Sequence, residues 1–531
     1  MLFLIVDTQA AEPDRQPRSR GRMHWLGMLY AIGFVALVLL SGFAGCATTR
    51  VSPPATLAAR IEAADIAYRH LPASLSAYNA AVRDLCDVLQ TGAPEAFAAS
   101  LRKRGVSLDA PKVGLPLRRI QLAAPLPPSN PEQAGVPVVV GYDTKSAPLY
   151  PPEGLFLDAT AIYDRLDGRS RVSLLSRETT ATLHGRTYAL AANHRAAGDQ
   201  LKFLAKRFAK SGFSGMIRPF SASRKPQFYL LDPYDPNKVP LLMVHGLQST
   251  PVEFAALVNA LRADPEIRSN YQVWQFYYAS GTPVLVNAAA LRDGLTQTLH
   301  TLDPSDHDAA GKRIVVLGHS MGGVISHTLV SSSEDRVWSS VFRVPPGRLQ
   351  GDRDAIQELE HVLFFQRNPR VVRVIFMASP HRGSPMADAF VGFVGNSLTR
   401  LNPVLEHGFS RLAVENPNAM TPEAALFYKG RFSAVRTLSP KSPTLMAVSK
   451  LPIEVPYHSV IGQRHPDPKE RGSDGVVPYW SSHLDGARSE AIVRSGHAVF
   501  RNPEAVREVI RILRLELRRS NRPSVSKSAA K

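Results

Sequence analysis

Ten residues, Ile314 to Gly323, constrain this chain more than any other stretch. Ile314-Val315-Val316-Leu317 is apolar and mostly β-branched, and it reads as a short buried strand. It runs into Gly318-His319-Ser320-Met321-Gly322, a Gly-x-Ser-x-Gly pentapeptide, and then into Val324–Val330, which reads as a helix. Strand, sharp turn and helix are the context in which a serine hydroxyl is raised above a sheet edge. Glycines two before and two after the serine let strand and helix approach where a Cβ would not fit. Met321, at the start of the helix, offers its backbone N–H to a developing oxyanion. The pentapeptide alone is common by chance; its setting gives it weight.

The chain has 531 residues, more than one core organises, so roughly two to four domains are expected. With 44% apolar and 20% charged residues it has globular composition. The net charge of +18 is scattered, apart from a basic cluster at Arg511, Arg514, Arg518, Arg519, Arg522, Lys527 and Lys531. A basic balance suits nucleic acid or an anionic membrane. No nucleic-acid motif accompanies it, so no nucleic-acid partner is expected, and membrane compatibility or plain composition remains.

The N-terminus carries an address. Arg15, Arg18, Arg20 and Arg22 precede a run from Trp25 to Ala44 without a charged residue, and small residues lead to Cys46. Basic region, apolar region and small-residue site make a secretory signal. Ala44-Gly45-Cys46 resembles a bacterial lipobox, with Phe43 where that motif usually carries Leu. The resemblance implies lipidation of Cys46 after removal of residues 1–45. An uncleaved anchor is the rival reading, since about 20 apolar residues span a bilayer, and ordinary secretion a third. Each places the rest of the chain outside the cytoplasm, and the anchored readings place it in the cell envelope. Thr48 is not the Asp that retains lipoproteins in the inner membrane, which favours the outer membrane.

The only other cysteine is Cys86. With Cys46 acylated it has no partner, so no disulfide is expected, and its place on an apolar helix face makes it a core residue. Cysteine and histidine nowhere show zinc spacing, so no metal is expected. Residues 46–225 read as an α+β region. It has two or three amphipathic helices over 55–103, a Pro-rich stretch at 124–131, and strands near Val136–Tyr142, Val172–Leu175 and Arg186–Ala191. A helix near Ala196–Phe208 follows. No residue in this region is singled out for function.

From 226 to 520 strands and helices alternate. Strands are expected at Pro240–Val244, Tyr271–Tyr278, Ile314–Leu317, Val371–Met377, Tyr457–Ile461 and Ala491–Arg494, with a closing helix from Pro503. Such alternation builds an α/β fold with a mostly parallel, doubly wound sheet, whose ligands bind beyond the carboxyl ends of the strands. Leu247, Ser320, His381, Asp474 and His497 all fall at such ends.

His245-Gly246-Leu247, the Ser320 pentapeptide, Ser379-Pro380-His381-Arg382-Gly383-Ser384, Ser473-Asp474-Gly475-Val476-Val477-Pro478 and Gly496-His497 resemble the α/β-hydrolase fold, most of all bacterial lipases and esterases. The resemblance spans about residues 226–517. It implies Ser320 as nucleophile, His497 as base and Asp474 as the acid that orients it, in the order Ser, Asp, His. The backbone N–H groups of Leu247 and Met321 would form the oxyanion hole, and His245 would support that turn. Asp467 and Asp485 are rival carboxylates in turns; His319, His381, His458, His465 and His483 are rival histidines. Residues 384–452 form an insertion with amphipathic segments at Ala387–Leu398 and Pro422–Phe432, either a lid over an acyl pocket or a static cap.

The expected protein is a membrane-anchored serine hydrolase of carboxylic, and in particular lipid acyl, esters, working without a cofactor. Acyl transfer or amide cleavage by the same three residues, and a non-enzymatic envelope scaffold, are the alternatives. A basic tail at 521–531 closes the chain. Its oligomeric state is left open.

Overall fold

The computed structural model of the chain describes residues 56–71, 73–88, 93–123, 132–201, 225–387, 411–428 and 434–520. The N-terminal address with Cys46, the Pro-rich stretch, the Ala387–Leu398 segment beyond Ala387, and the basic tail lie outside the described residues. Among the described residues, no helix is long and apolar enough to cross a membrane.

Three helices, Leu57–Arg69, Leu75–Asp87 and Pro94–Arg102, open the described chain. The first two start where a hydroxyl can cap them: Thr56 Oγ1 accepts from Ala59 N–H and Ser74 Oγ from Ala77 N–H. They pack on a five-stranded sheet built from β1 (Val106–Asp109), β2 (Leu117–Leu122), β3 (Val136–Tyr142), β4 (Leu155–Leu166) and β5 (Arg169–Leu175), in the order β1-β5-β4-β3-β2. A hairpin of β6 (Thr180–Leu183) and β7 (Arg186–Ala189) follows. Tyr78 joins helix to sheet: its hydroxyl donates to the Tyr163 carbonyl (2.8 Å) and accepts from Tyr163 N–H (3.0 Å). Cys86 is buried beside Leu85 and Val82, and burial pushes its thiol up to about 12, as befits an inert core residue.

The second sheet has seven strands. They are β8 (Gln227–Leu230), β9 (Val239–Val244), β10 (Tyr271–Tyr277), β11 (Ile314–His319), β12 (Val371–Met377), β13 (Tyr457–Gln463) and β14 (Ser489–Arg494). Their spatial order is β14-β13-β12-β11-β9-β10-β8, parallel throughout except for β8, which runs antiparallel to β10 at the edge. The α/β-hydrolase expectation therefore holds, with an antiparallel edge strand added.

Side-chain alternation divides the core into two layers. Leu242, Val244, Val316, Val374 and Phe376 face helices Val284–Leu302, Met321–His327 and Arg353–Leu363. Leu241, Met243, Val315, Leu317, Ile375 and Met377 face helix Ala255–Ala263 and the closing helix Pro503–Ser520. From β9 the chain moves outward to β10 and then returns to β11 on the other side. The strand order thus reverses between β9 and β11, the kind of switch point at which open α/β sheets place their sites.

The elbow helix differs from its expected span. It runs from Met321 to His327 rather than from Val324 to Val330, because Gly322 and Gly323 have no Cβ to keep its first turn off the sheet. In the insertion, the segment expected to be amphipathic over 422–432 forms helix Pro422–Tyr428.

Candidate active site

Ser320 stands between β11 and the elbow helix with φ 54° and ψ −127°. This is sparsely populated for a residue with a Cβ and costs roughly 1–3 kcal/mol. The surroundings enforce it. Ser320 N–H donates to the Met377 carbonyl on β12 (2.9 Å) and Gly323 N–H to the Ser320 carbonyl (2.9 Å). A Cβ on Gly318 would lie 2.5 Å from Gly323 Cα, and one on Gly322 would lie 2.2 Å from the Val244 carbonyl oxygen. Both glycines of the pentapeptide are thus sterically required.

Two loops bring the partners. Asp474 follows β13 in the loop Ser473–Pro478 and is buried; its Oδ1 accepts from the N–H groups of Val476 (2.8 Å) and Val477 (2.7 Å). Its Oδ2 faces His497 Nδ1 at 2.7 Å, and His497 Nε2 lies 2.9 Å from Ser320 Oγ. The imidazole donates from Nδ1 to the carboxylate, which leaves Nε2 free to accept from the serine hydroxyl. The structure brings Ser320, His497 and Asp474, the three residues the resemblance implies, into one hydrogen-bonded line.

The rivals are placed elsewhere. Asp467 is exposed, and Asp485 accepts from His483 in a solvated turn. His483 also pairs with Glu490, and His465 is exposed. His458 sits at the opposite end of its strand, between Arg373 and Ser489. His381 is buried edge-on against Phe376, with centroids 4.6 Å apart, and neither ring nitrogen has a partner among the described residues.

The turn after β9 lies against the serine: a Cβ on Gly246 would stand 2.9 Å from Ser320 Cβ. Gln248 takes φ 56° and donates its N–H to Ser280 Oγ (3.2 Å). His245 is fully buried, stacked on Tyr278 at 4.2 Å, and the Tyr278 hydroxyl donates to the His245 carbonyl. Burial lowers the His245 pKa to about 4, so the ring is a neutral brace. Among the described residues, the N–H groups of Leu247 and Met321 have no acceptor.

Two residues at the site were not legible beforehand. Glu253 accepts from Gly246 N–H (3.1 Å) and Ser249 Oγ, and it faces His319 Nδ1 at 3.1 Å. Thr250-Pro251-Val252-Glu253 has the spacing of a capping box, which would send this carboxylate to a helix start. Thr250 makes no side-chain cap bond, and Glu253 turns inward instead. Burial pushes the Glu253 carboxyl up, but the His319 charge and hydrogen bond outweigh it and hold it at about 2. Burial opposes charge on His319, yet the Glu253 carboxylate raises its pKa above the ordinary value.

Behind the elbow lies an apolar cavity of about 70 Å³, lined in part by Val284, Val324, Val341, Tyr428, Leu445 and Val448. Val324 is on the elbow helix, one turn past Ser320; Tyr428, Leu445 and Val448 come from the insertion. Among the described residues no cluster of three or more His, Cys, Asp or Glu side chains could hold a metal ion.

The sequence matches the model of the alpha/beta hydrolase family over residues 241–509, just over half of the chain. The chain belongs to that family. No curated protein sequence matches it. Among solved structures, the mature form of Bacillus licheniformis lipase BlEst2 aligns at 16% identity and a TM-score of 0.32, covering 54% of this chain and 97% of that one. A lipase-esterase related protein from Clostridium acetobutylicum ATCC 824 aligns at 13% identity and a TM-score of 0.27, covering 55% and 99%. A hydrolase from Pseudomonas aeruginosa PA01 aligns at 15% identity and a TM-score of 0.28, covering 54% and 93%.

Proposed function

We propose that the chain is a serine hydrolase that cleaves carboxylic esters, lipid acyl esters in particular, through an acyl-enzyme on Ser320. The observation that carries this is the continuous line from Ser320 Oγ through His497 to Asp474, with contacts of 2.9 and 2.7 Å. A serine hydroxyl is a poor nucleophile until a base takes its proton as it attacks. His497 Nε2 accepts that proton, and Asp474 stabilises the imidazolium and holds its tautomer. The tetrahedral intermediate places its oxyanion toward the N–H groups of Leu247 and Met321, worth about 3–4 kcal/mol per donor in comparable sites. His497 then protonates the leaving alkoxide, the C–O bond breaks, and an acyl group remains on Ser320. A water, deprotonated by His497 in turn, releases the carboxylic acid. Every proton transfer uses the chain's own groups.

The apolar lining behind the elbow helix supports an acyl chain as the group retained. The N-terminal address extends the proposal to place: lipidated on Cys46, the enzyme would sit in the cell envelope, on the outer membrane, near lipid substrates. The insertion over 384–452 would then act as a lid.

The test is labelling with a fluorophosphonate probe alongside hydrolysis of p-nitrophenyl esters of short and long chains. Wild type should be labelled and turn over ester, and Ser320→Ala should do neither. A folded wild type that takes no label would overturn the proposal. Added alcohol acceptors would expose acyl transfer, and metabolic labelling with a fatty acid, lost in Cys46→Ser, would test the anchor.

A further inference from the structure

His319, the residue inside the pentapeptide, does not face its own serine. Its Nδ1 faces Glu253 Oε1 at 3.1 Å and its Nε2 faces the His497 carbonyl oxygen at 2.9 Å. Both neighbours are hydrogen-bond acceptors, so both ring nitrogens must donate, and a neutral imidazole has only one N–H. Glu253 is itself satisfied as an anion. Its Oε1 also accepts from Gly246 N–H, and its Oε2 accepts from Ser249. The arrangement is therefore an imidazolium bonded to a carboxylate.

The pair is enclosed. His319 is 4% exposed, and the rings of Phe254 and Phe500 stand edge-on to it at 6.4 and 4.7 Å. The titratable groups facing it are His245, Asp474 and His497, and the His497 ring lies 5.0 Å away. What it touches is telling. One end holds the backbone of the residue that is to take the serine proton. The other holds the N–H of Gly246, next to Leu247 in the proposed oxyanion turn. The two loops come from opposite ends of the domain, 251 residues apart, and this pair bonds to both.

We propose that Glu253 and His319 are positioning residues, a second acid–imidazole pair behind the first that holds His497 and the oxyanion turn in register around Ser320. The proposal rests on the reading of Ser320 as the nucleophile. A neutral His319 keeps only one N–H and so loses its bond either to Glu253 or to the His497 carbonyl, so the register depends on the charge.

The test compares wild type, Glu253→Gln, His319→Gln and Glu253→Asp in probe labelling and p-nitrophenyl butyrate hydrolysis. Each is first shown to be folded by circular dichroism. Both glutamine variants should lose about 10- to 100-fold in kcat/KM, the scale of small misplacements of catalytic groups, in kcat and with KM nearly unchanged. Glu253→Asp, which keeps the charge on a shorter arm, should recover part of the loss. A second measurement needs no variant. In the intact chain labelled with ¹⁵N-histidine, one ring should remain doubly protonated at a pH above the ordinary histidine value of about 6.5, where the others are neutral. Glutamine variants with wild-type kcat/KM, or a spectrum with every histidine neutral at that pH, would overturn the proposal and leave Ser320 as nucleophile. A folded wild type that is neither labelled nor active removes the nucleophile itself, and a doubly protonated ring found there would mark a purely structural ion pair.

Discussion

Gly246 leaves no room for a side chain beside Ser320 at the switch point of the sheet: a Cβ on the glycine would stand 2.9 Å from the serine Cβ and 3.1 Å from His319 Nδ1. Neither neighbour is the free end of a flexible side chain. Gly246→Ala must therefore displace the elbow or the oxyanion turn. The expected result is a loss of at least about 100-fold in kcat/KM, the scale of a 1 Å misplacement, with an overpacking cost of about 1–3 kcal/mol. Labelling rates and urea denaturation measure the two separately.

Asp474→Asn should preserve the loop and lose the chemistry. The amide oxygen can still accept from Val476 and Val477 N–H, as Oδ1 does now. The amide nitrogen would face His497 Nδ1, favouring the tautomer that protonates Nε2 and blocks acceptance from Ser320. The expected fall in kcat is about 10⁴-fold, by analogy with the corresponding change in a serine protease. Near-native stability together with that loss would be the signature.

Glu516 is buried in the closing helix between Arg373 on β12 and Arg313, at 2.8 and 2.6 Å. Arg373 also donates to His458 Nε2. Glu516→Gln leaves a buried guanidinium without its counter-charge, and such changes cost about 3–5 kcal/mol. Urea denaturation should show a lower midpoint with unchanged slope. The site lies at the far end of the sheet, so kcat of the folded fraction should hold.

Stability should fall as the solution is acidified below neutrality. Burial lowers His327 and His245 to about 4, and it takes His381 well below its ordinary value, with the charges of His327 and Arg382 adding to the effect. Unfolded histidines titrate near 6.5, so between there and about 4 the unfolded chain binds more protons and stability falls as pH falls. The His319–Glu253 pair acts the opposite way above neutrality: stability from the raised His319 is lost as pH rises through its folded value. His381→Leu, whose ring nitrogens have no partner to lose, should flatten the acid side of a plot of unfolding free energy against pH. An unchanged slope would count against this account.

Much of the second sheet was readable because each strand is a short apolar run bounded by turn residues. Val371–Met377 is found where it is expected, and the other expected strands of this sheet differ by one or two residues at one end. The first sheet was read less completely. β4, the longest strand, was missed because Asp158 and Asp164 interrupt Leu155–Leu166; both acids are satisfied by distant groups, Asp164 by Arg171 and Asp158 by Ala197 N–H. β8 was missed because four residues carry little period of their own; its pairing with β10 makes it a strand.

Ser320 is legible in the glycines that short-range sterics demand around the elbow, whereas Asp474, in a turn after β13, and His497, after a strand end, are singled out by the family resemblance. Glu253 and His319 could not be paired that way. Sequence alone presents one as a helix-start acid and the other as the variable residue of a pentapeptide. Only the closure of the sheet, which buries both side chains together beyond the ends of β9 and β11, makes a charge on either one dependent on the other. Local backbone geometry is written in neighbouring residues; the free energy of a buried charge depends on whatever the fold places beside it.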